Sequence, residues 1–189
     1  LYGGAGDDYI EGNAAGDHLY GEAGQDDLIG GSPDLGLSDG DDQIDGGPDA
    51  DVAVGDNGAI SRPLNAQGQW QRLIGYGYNI VVRSVSMASA AESATSYGDD
   101  QINGGDGPDE LYGQLGDDSM RGDAGDDVLL GDLGRVITRI ENGSREQVIA
   151  SNQPFLEETI YKAGTLTRQV DLFAVTDEAV SYTHLTLPT

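Results

Sequence analysis

A single apolar residue recurs at intervals of nine over two stretches of the chain, with one interval of sixteen in the first. Ile10, Leu19, Leu28, Ile44 and Ala53 mark the first stretch, and Ile102, Leu111, Met120 and Leu129 the second. Each closes a glycine-rich acidic hexad and sits at the centre of a three-residue triplet. A triplet of this kind is a minimal strand, whose alternation turns the central residue inward and its neighbours outward. Repetition at a fixed short period predicts stacked coils, because one such strand buries too little to stand alone. The expected class is therefore all-β: short parallel strands wound into a roll.

The hexads follow a rule of their own. The units read GGAGDDYIE from Gly3, GNAAGDHLY from Gly12, GEAGQDDLI from Gly21 and GGPDADVAV from Gly46. A unit opening at Gly30–Gly31 is interrupted by seven residues and resumes as GDDQID at Gly40. The second stretch gives GDDQIN from Gly98, GGDGPDELY from Gly104, GQLGDDSMR from Gly113 and GDAGDDVLL from Gly122. Aspartate holds the sixth place throughout, at Asp8, Asp17, Asp26, Asp42, Asp51, Asp100, Asp109, Asp118 and Asp127. Glycine suits the turns because it reaches positive φ without a Cβ clash. Ala15 and Asp49 replace it at the fourth place, and Asn13, Glu22, Gln114 and Asp123 at the second, which brings the geometry of those turns into question. Leu1–Tyr2 matches the unit ends Leu19–Tyr20 and Leu111–Tyr112, so the chain is expected to start inside the array.

Charge changes the picture next. The 189 residues carry 34 Asp and Glu against 9 Lys and Arg, a formal net charge of −25. No basic face exists to recognise phosphate, which excludes a nucleic-acid binder. No apolar run approaches the roughly 18 residues of a spanning helix. The absence of cysteine removes disulfide scaffolds and thiolate-bound zinc. Residues 1–58 hold 15 acids and no lysine or arginine, and residues 96–134 hold 11 acids and only Arg121. Acid concentrated in two regular blocks points to a cationic partner, since unpaired like charge at low hydrophobicity leaves a chain disordered.

These nonapeptides resemble those of RTX (repeats-in-toxin, haemolysin-type) proteins, G-G-x-G-x-D-x-U-x with U apolar, over about half the chain. The resemblance implies a parallel β-roll loaded with several Ca²⁺ ions. Calcium takes six to eight hard oxygen ligands. They are expected from the nine sixth-place aspartates and from turn backbone at Gly4, Gly6, Gly24, Gly40, Gly107, Gly116 and Gly125. Two nonapeptides form one coil, so units two apart share a site: Asp8 with Asp26, Asp17 with Asp42, Asp100 with Asp118, Asp109 with Asp127. The fifth-place Asp7, Asp41, Asp99, Asp117 and Asp126 point away, as solvated charge. A single inner row of side chains cannot offset the entropy of ordering so much glycine, so ion binding supplies the folding free energy. Similar proteins are secreted from bacteria by type I secretion machinery, and the fragment is expected to be a non-catalytic piece of such a protein.

The expected organisation is a first roll block over 1–58, a hairpin-like insertion over 59–94, a second block over 95–134 and a β-rich excursion over 135–179. Both blocks end alike, in DVAVGDNGAISR (51–62) and DVLLGDLGRVITR (127–139), where Ile60 and Val136 replace the sixth-place Asp and the array is expected to stop. Strands are predicted at Trp70–Ile74 and Tyr78–Ser86, then at Val136–Ile140, Glu158–Tyr161 and Leu166–Val175. Ser86–Ser96 reads as a short helix or a loop. VSYTHLTLPT (180–189) fits none of these and reads as translated sequencing adaptor rather than native protein.

No catalytic constellation emerges. The two histidines, His18 and His184, lie in an outward strand place and in the suspected adaptor. Asp99–Glu110 approaches an EF-hand loop, but Gln101 breaks the third ligand place and the flanks are too rich in glycine and proline for helices. Trp70, Tyr76 and Tyr78 offer a sugar platform or, more commonly, a core for the insertion. An adhesin module whose insertions bind glycan, and the accessory array of a secreted hydrolase or toxin, are the alternative functions.

Overall fold

The structure is a computed structural model that describes residues 1–34, 37–75, 77–87, 97–140, 157–160 and 166–172. The suspected adaptor residues 180–189, His184 among them, most of Ser86–Ser96 and Tyr76 lie outside them. Among the described residues every regular element is a strand. The first six are β1 (Tyr2–Ala5), β2 (Tyr9–Glu11), β3 (His18–Ala23), β4 (Asp27–Ile29), β5 (Gln43–Pro48) and β6 (Val52–Val54). The first insertion contributes β7 (Gly58–Ser61), β8 (Arg72–Gly75), β9 (Tyr78–Val81) and β10 (Ser84–Met87). Then come β11 (Gln101–Asp106), β12 (Glu110–Tyr112), β13 (Ser119–Ala124) and β14 (Val128–Leu130). The chain closes with β15 (Gly134–Ile140), β16 (Glu157–Ile160) and β17 (Leu166–Leu172).

The roll is one solenoid of about five turns with two parallel sheets, ordered β1-β3-β5-β11-β13 and β2-β4-β6-β12-β14. Strands from successive coils pair with like places opposed: Leu19 lies beside Ile44, Ile44 beside Ile102, and Ile102 beside Met120. The predicted inner row forms a single core between the sheets, with Ile10, Leu19, Leu28, Ile44, Ala53, Ile102 and Leu111 buried and Met120 and Leu129 packed against them.

The array does not stop at Gly55. β5 pairs with β11 and β6 with β12, so the coil before the first insertion stacks directly on the coil after it. The turn that opens at Gly55 closes at Asp100, whose Oδ2 meets the bare Cα of Gly55 as each sixth-place Asp meets its own first glycine. The whole segment between is an enlarged turn. The shorter interruption after Gly31 enlarges the preceding turn on the same edge.

The insertion folds back onto the roll. β10 pairs antiparallel with β7, and β8 with β9. The sequence-predicted strand Tyr78–Ser86 is thus two strands, broken at Val82–Arg83, and Ser86 belongs to β10. Ile60, Val85, Met87 and Val136 cover a second apolar cluster on the outer face of the second sheet, built from Ile29, Val52, Val54, Tyr112, Val128 and Leu130. Outward residues of the first sheet stay polar, as at Gln43, Asp45, Gln101 and Asn103. β15, β17 and β16 form a separate antiparallel sheet in that order.

Candidate calcium-binding turns

The turns line the two edges of the roll, and the main-chain N–H of seven sixth-place aspartates donates to the carboxylate of the sixth-place aspartate on the next coil. On one edge the Asp17 N–H donates to Asp42 Oδ1 (2.6 Å), the Asp42 N–H to Asp100 Oδ1 (2.9 Å) and the Asp100 N–H to Asp118 Oδ1 (3.0 Å). On the other, the amides of Asp8, Asp26, Asp51 and Asp109 donate to Oδ1 of Asp26, Asp51, Asp109 and Asp127, at 2.8, 2.7, 2.9 and 3.1 Å. The four expected pairs are brought together, and three more, Asp26–Asp51, Asp42–Asp100 and Asp51–Asp109, link them into two continuous rows. Sequence reasoning missed Asp42–Asp100 and Asp51–Asp109 because it separated the blocks, and it missed Asp26–Asp51 within the first block, across the interrupted unit.

Oδ1 is thereby used in seven of the nine carboxylates, those of Asp26, Asp42, Asp51, Asp100, Asp109, Asp118 and Asp127. The other, Oδ2, is buried and accepts no hydrogen bond at Asp8, Asp26, Asp42, Asp51, Asp100 and Asp118. Burial of an acceptor without a donor is costly, and burial of a row of like charges costs more. Desolvation by burial accordingly pushes Asp42 and Asp100 up to about 8, Asp51 up to about 9 and Asp118 up to about 6, with the neighbouring carboxylates adding to the rise. Asp26 is raised for the same first reason. These groups fit a hard divalent cation: oxygen donors, negative, desolvated and unpaired. Among the described residues no three acidic or imidazole side chains converge as a cage. Backbone carbonyls must complete any ion's shell, as the glycine-rich turns allow.

The turn backbone is preserved even where glycine is missing. Gly4, Gly6, Gly24, Gly107, Gly116 and Gly125 all have positive φ, between 104° and 156°. All six departures from the glycine pattern, Asn13, Ala15, Glu22, Asp49, Gln114 and Asp123, hold φ between 62° and 86°. The question that the sequence raised is answered: the replacements adopt the left-handed conformation and bear its strain. Gly40 differs from the other named glycines, since its φ is not positive and its N–H donates to Asp39 Oδ1 (2.9 Å).

The fifth-place carboxylates do more than meet solvent. Asp41 and Asp99 are exposed, yet Asp41 Oδ1 accepts from the Asp99 N–H (3.0 Å) and Asp99 Oδ1 from the Asp117 N–H (2.9 Å). Asp7 Oδ1 accepts from the Gln25 N–H (3.0 Å), and Asp126 Oδ2 from the Tyr78 hydroxyl (2.7 Å).

Arginine docks the insertion at the second edge. Arg62 and Arg83 converge on Asp27 at 2.6 and 2.8 Å, with all three side chains at most 9% exposed. Arg62 also donates to the carbonyls of Asp7, Asp8 and Gln25, and its guanidinium lies 4.5 Å from the centre of the Trp70 ring. Tyr78 turns toward the roll, packing with Ile80 and Ala50. Of the suggested sugar platform, then, one ring carries an arginine and another is committed to the interface.

A model of RTX calcium-binding nonapeptide repeats matches residues 2–32, 38–59 and 95–135 with four copies. Neither the curated proteins nor the solved structures compared with the chain give a match. The match spans the solenoid and passes over both enlarged turns. Such repeats bind several calcium ions per array and serve as a structural module. From residue 2 to residue 135, this chain belongs to the RTX calcium-binding nonapeptide repeat family.

Proposed function

We propose that the chain is the calcium-folded rod of a secreted bacterial protein, disordered where calcium is scarce and wound into the roll where it is millimolar. The nine sixth-place aspartates act as ligands through Oδ2, with carbonyl oxygens of the glycine turns completing each shell. The row of buried Oδ2 atoms without a hydrogen-bond partner carries this reading, because burying so many like charges demands a cation to offset them. Extracellular calcium modules bind with dissociation constants of about 10⁻⁴–10⁻³ M. At such values the chain stays unfolded in a cytosol, in the state that threading through a secretion channel needs.

The test is far-UV circular dichroism of the 189-residue chain during calcium and magnesium titrations. The expected result is a cooperative coil-to-β transition near millimolar calcium that magnesium does not produce. Magnesium demands tight octahedral geometry and sheds water reluctantly, which a shell of carbonyls and shared carboxylates does not suit. A spectrum indifferent to calcium defeats the reading.

A further inference from the structure

The interrupted turn contains one acid that the nine-residue rule does not account for. With residues 32–38 set aside, the unit reads Gly30-Gly31-Asp39-Gly40-Asp41-Asp42-Gln43-Ile44-Asp45, a regular nonapeptide with Asp39 at its third place. Third-place residues face solvent in most regular turns, as Ala5, Ala14, Ala23, Pro48, Asp106 and Ala124 do, and Leu115 is half-buried. Asp39 is only 7% exposed. The extra loop has turned an outward place inward.

The loop is held while it does so. The Asn57 side chain accepts from the Ser32 N–H (2.8 Å) and donates to the Leu37 carbonyl (2.7 Å), tying both ends of the loop to the next coil. Asp39 Oδ1 takes the Gly40 N–H, and Oδ2 is buried with no partner. That free oxygen lies against the Cα of Gly31, and the equally free Oδ2 of Asp42 lies against the Cα of Gly30. The two free oxygens are thus lodged against adjacent residues of one turn, near enough for the Asp39 charge to act on Asp42. The charges that act on Asp39 and Asp42 are those of other carboxylates, Asp17 and Asp100 among them. Asp56, the other additional acid on this edge, differs because both its oxygens are taken, by the N–H groups of Gly98 and Leu115.

We propose that Asp39 is a calcium ligand outside the nonapeptide pattern, joining Asp42 so that the turn over 30–42 holds the tightest-bound cation of the array. The inference rests on the calcium-dependent folding proposed above. An added anionic oxygen raises a calcium site's affinity through its ligand charge. The 32–38 loop is then a device for strengthening one site in the middle of the stack, where the neighbouring coils can nucleate on it.

The experiment compares the full chain with Asp39→Asn, with a deletion of residues 32–38, and with Asp106→Asn as a third-place control. Calcium binding is titrated against a chromophoric chelator, and folding is followed by circular dichroism. The full chain is expected to show one step tighter than the rest. Asp39→Asn keeps the Gly40 hydrogen bond and weakens that step about tenfold or more by removing one ligand charge. The deletion restores a regular turn, returns Asp39 to the surface and gives the same loss, while Asp106→Asn gives none. An unaltered tight step in Asp39→Asn overturns the inference. If Asp39→Asn does not fold even in saturating calcium, the deletion decides, and a tight step that survives it overturns the inference equally. A full chain that binds no calcium defeats the functional reading itself, a result distinct from either.

Discussion

Ala15 sits at the fourth place of its turn with φ of 70°, in the left-handed region that glycine enters without strain. An L-residue in this region costs roughly 1–2 kcal/mol, and glycine returns part of that through its greater freedom in the unfolded chain. Because Ala15 is exposed, trimming its methyl forfeits no burial. Ala15→Gly is expected to stabilise the calcium-loaded roll by about 0.5–1 kcal/mol, read as a higher urea midpoint at saturating calcium. Gly107→Ala runs the other way. Its φ of 153° disfavours a side chain, and a methyl there meets the Asp49 carbonyl of the coil below. The two substitutions exchange the same pair of residues with opposite sign, which separates the demands of the turn from any general effect of glycine.

Individual strands of the roll were legible because their signal is periodic. Nine apolar residues at one phase could only stack, and they do so as one core. The continuity of the two blocks was present but harder to see, since Gly55 and Asp100 belong to one turn although a folded insertion lies between them. A count of nine fails across such a gap, whereas space does not. The outer faces carried a second clue that periodicity ignores: Val52, Val54, Val128 and Leu130 are apolar on both sides of Ala53 and Leu129, which marks a covered sheet, while Gln43 and Asp45 mark an open one. What no spacing rule reveals is the clamp of Arg62 and Arg83 on Asp27, which joins residues far apart in sequence. Removing one member of a buried ion pair typically costs about 3–5 kcal/mol, because the remaining charge stays desolvated. Asp27→Asn strands two guanidinium groups at once. The expected outcome is detachment of the insertion with the roll intact: faster hydrogen exchange at Arg72–Gly75 and Tyr78–Val81, and unchanged protection around Leu19 and Ile44. Uniform loss of protection would instead make the insertion part of the same cooperative unit.

For the molecule as a whole, protons and calcium compete for the same carboxylates, and the sign of that competition depends on which state lacks calcium. In the folded roll without cation, burial holds Asp42, Asp51 and Asp100 at about 8, 9 and 8. In an unfolded chain the same groups titrate near 3.9. A raised folded value contributes stability that is complete below the unfolded value and is lost as pH climbs through the folded one. The cation-free roll is therefore favoured by acid and disfavoured between about pH 4 and pH 9, the window those values define. Lowering the pH of a calcium-free solution from 8 to 5 is expected to bring up β signal in circular dichroism, protons standing in for the metal. At pH 7.5 the calcium-free chain is unfolded and its aspartates are already ionised, so calcium-driven folding should release almost no protons. Calorimetric titrations in buffers of different ionisation enthalpy test this directly, and equal heats are expected. Heats that differ by several protons' worth would mean that calcium enters a roll already folded and protonated. The carboxylate rows would then be a neutral scaffold that calcium merely recharges, and binding would no longer be what drives the fold.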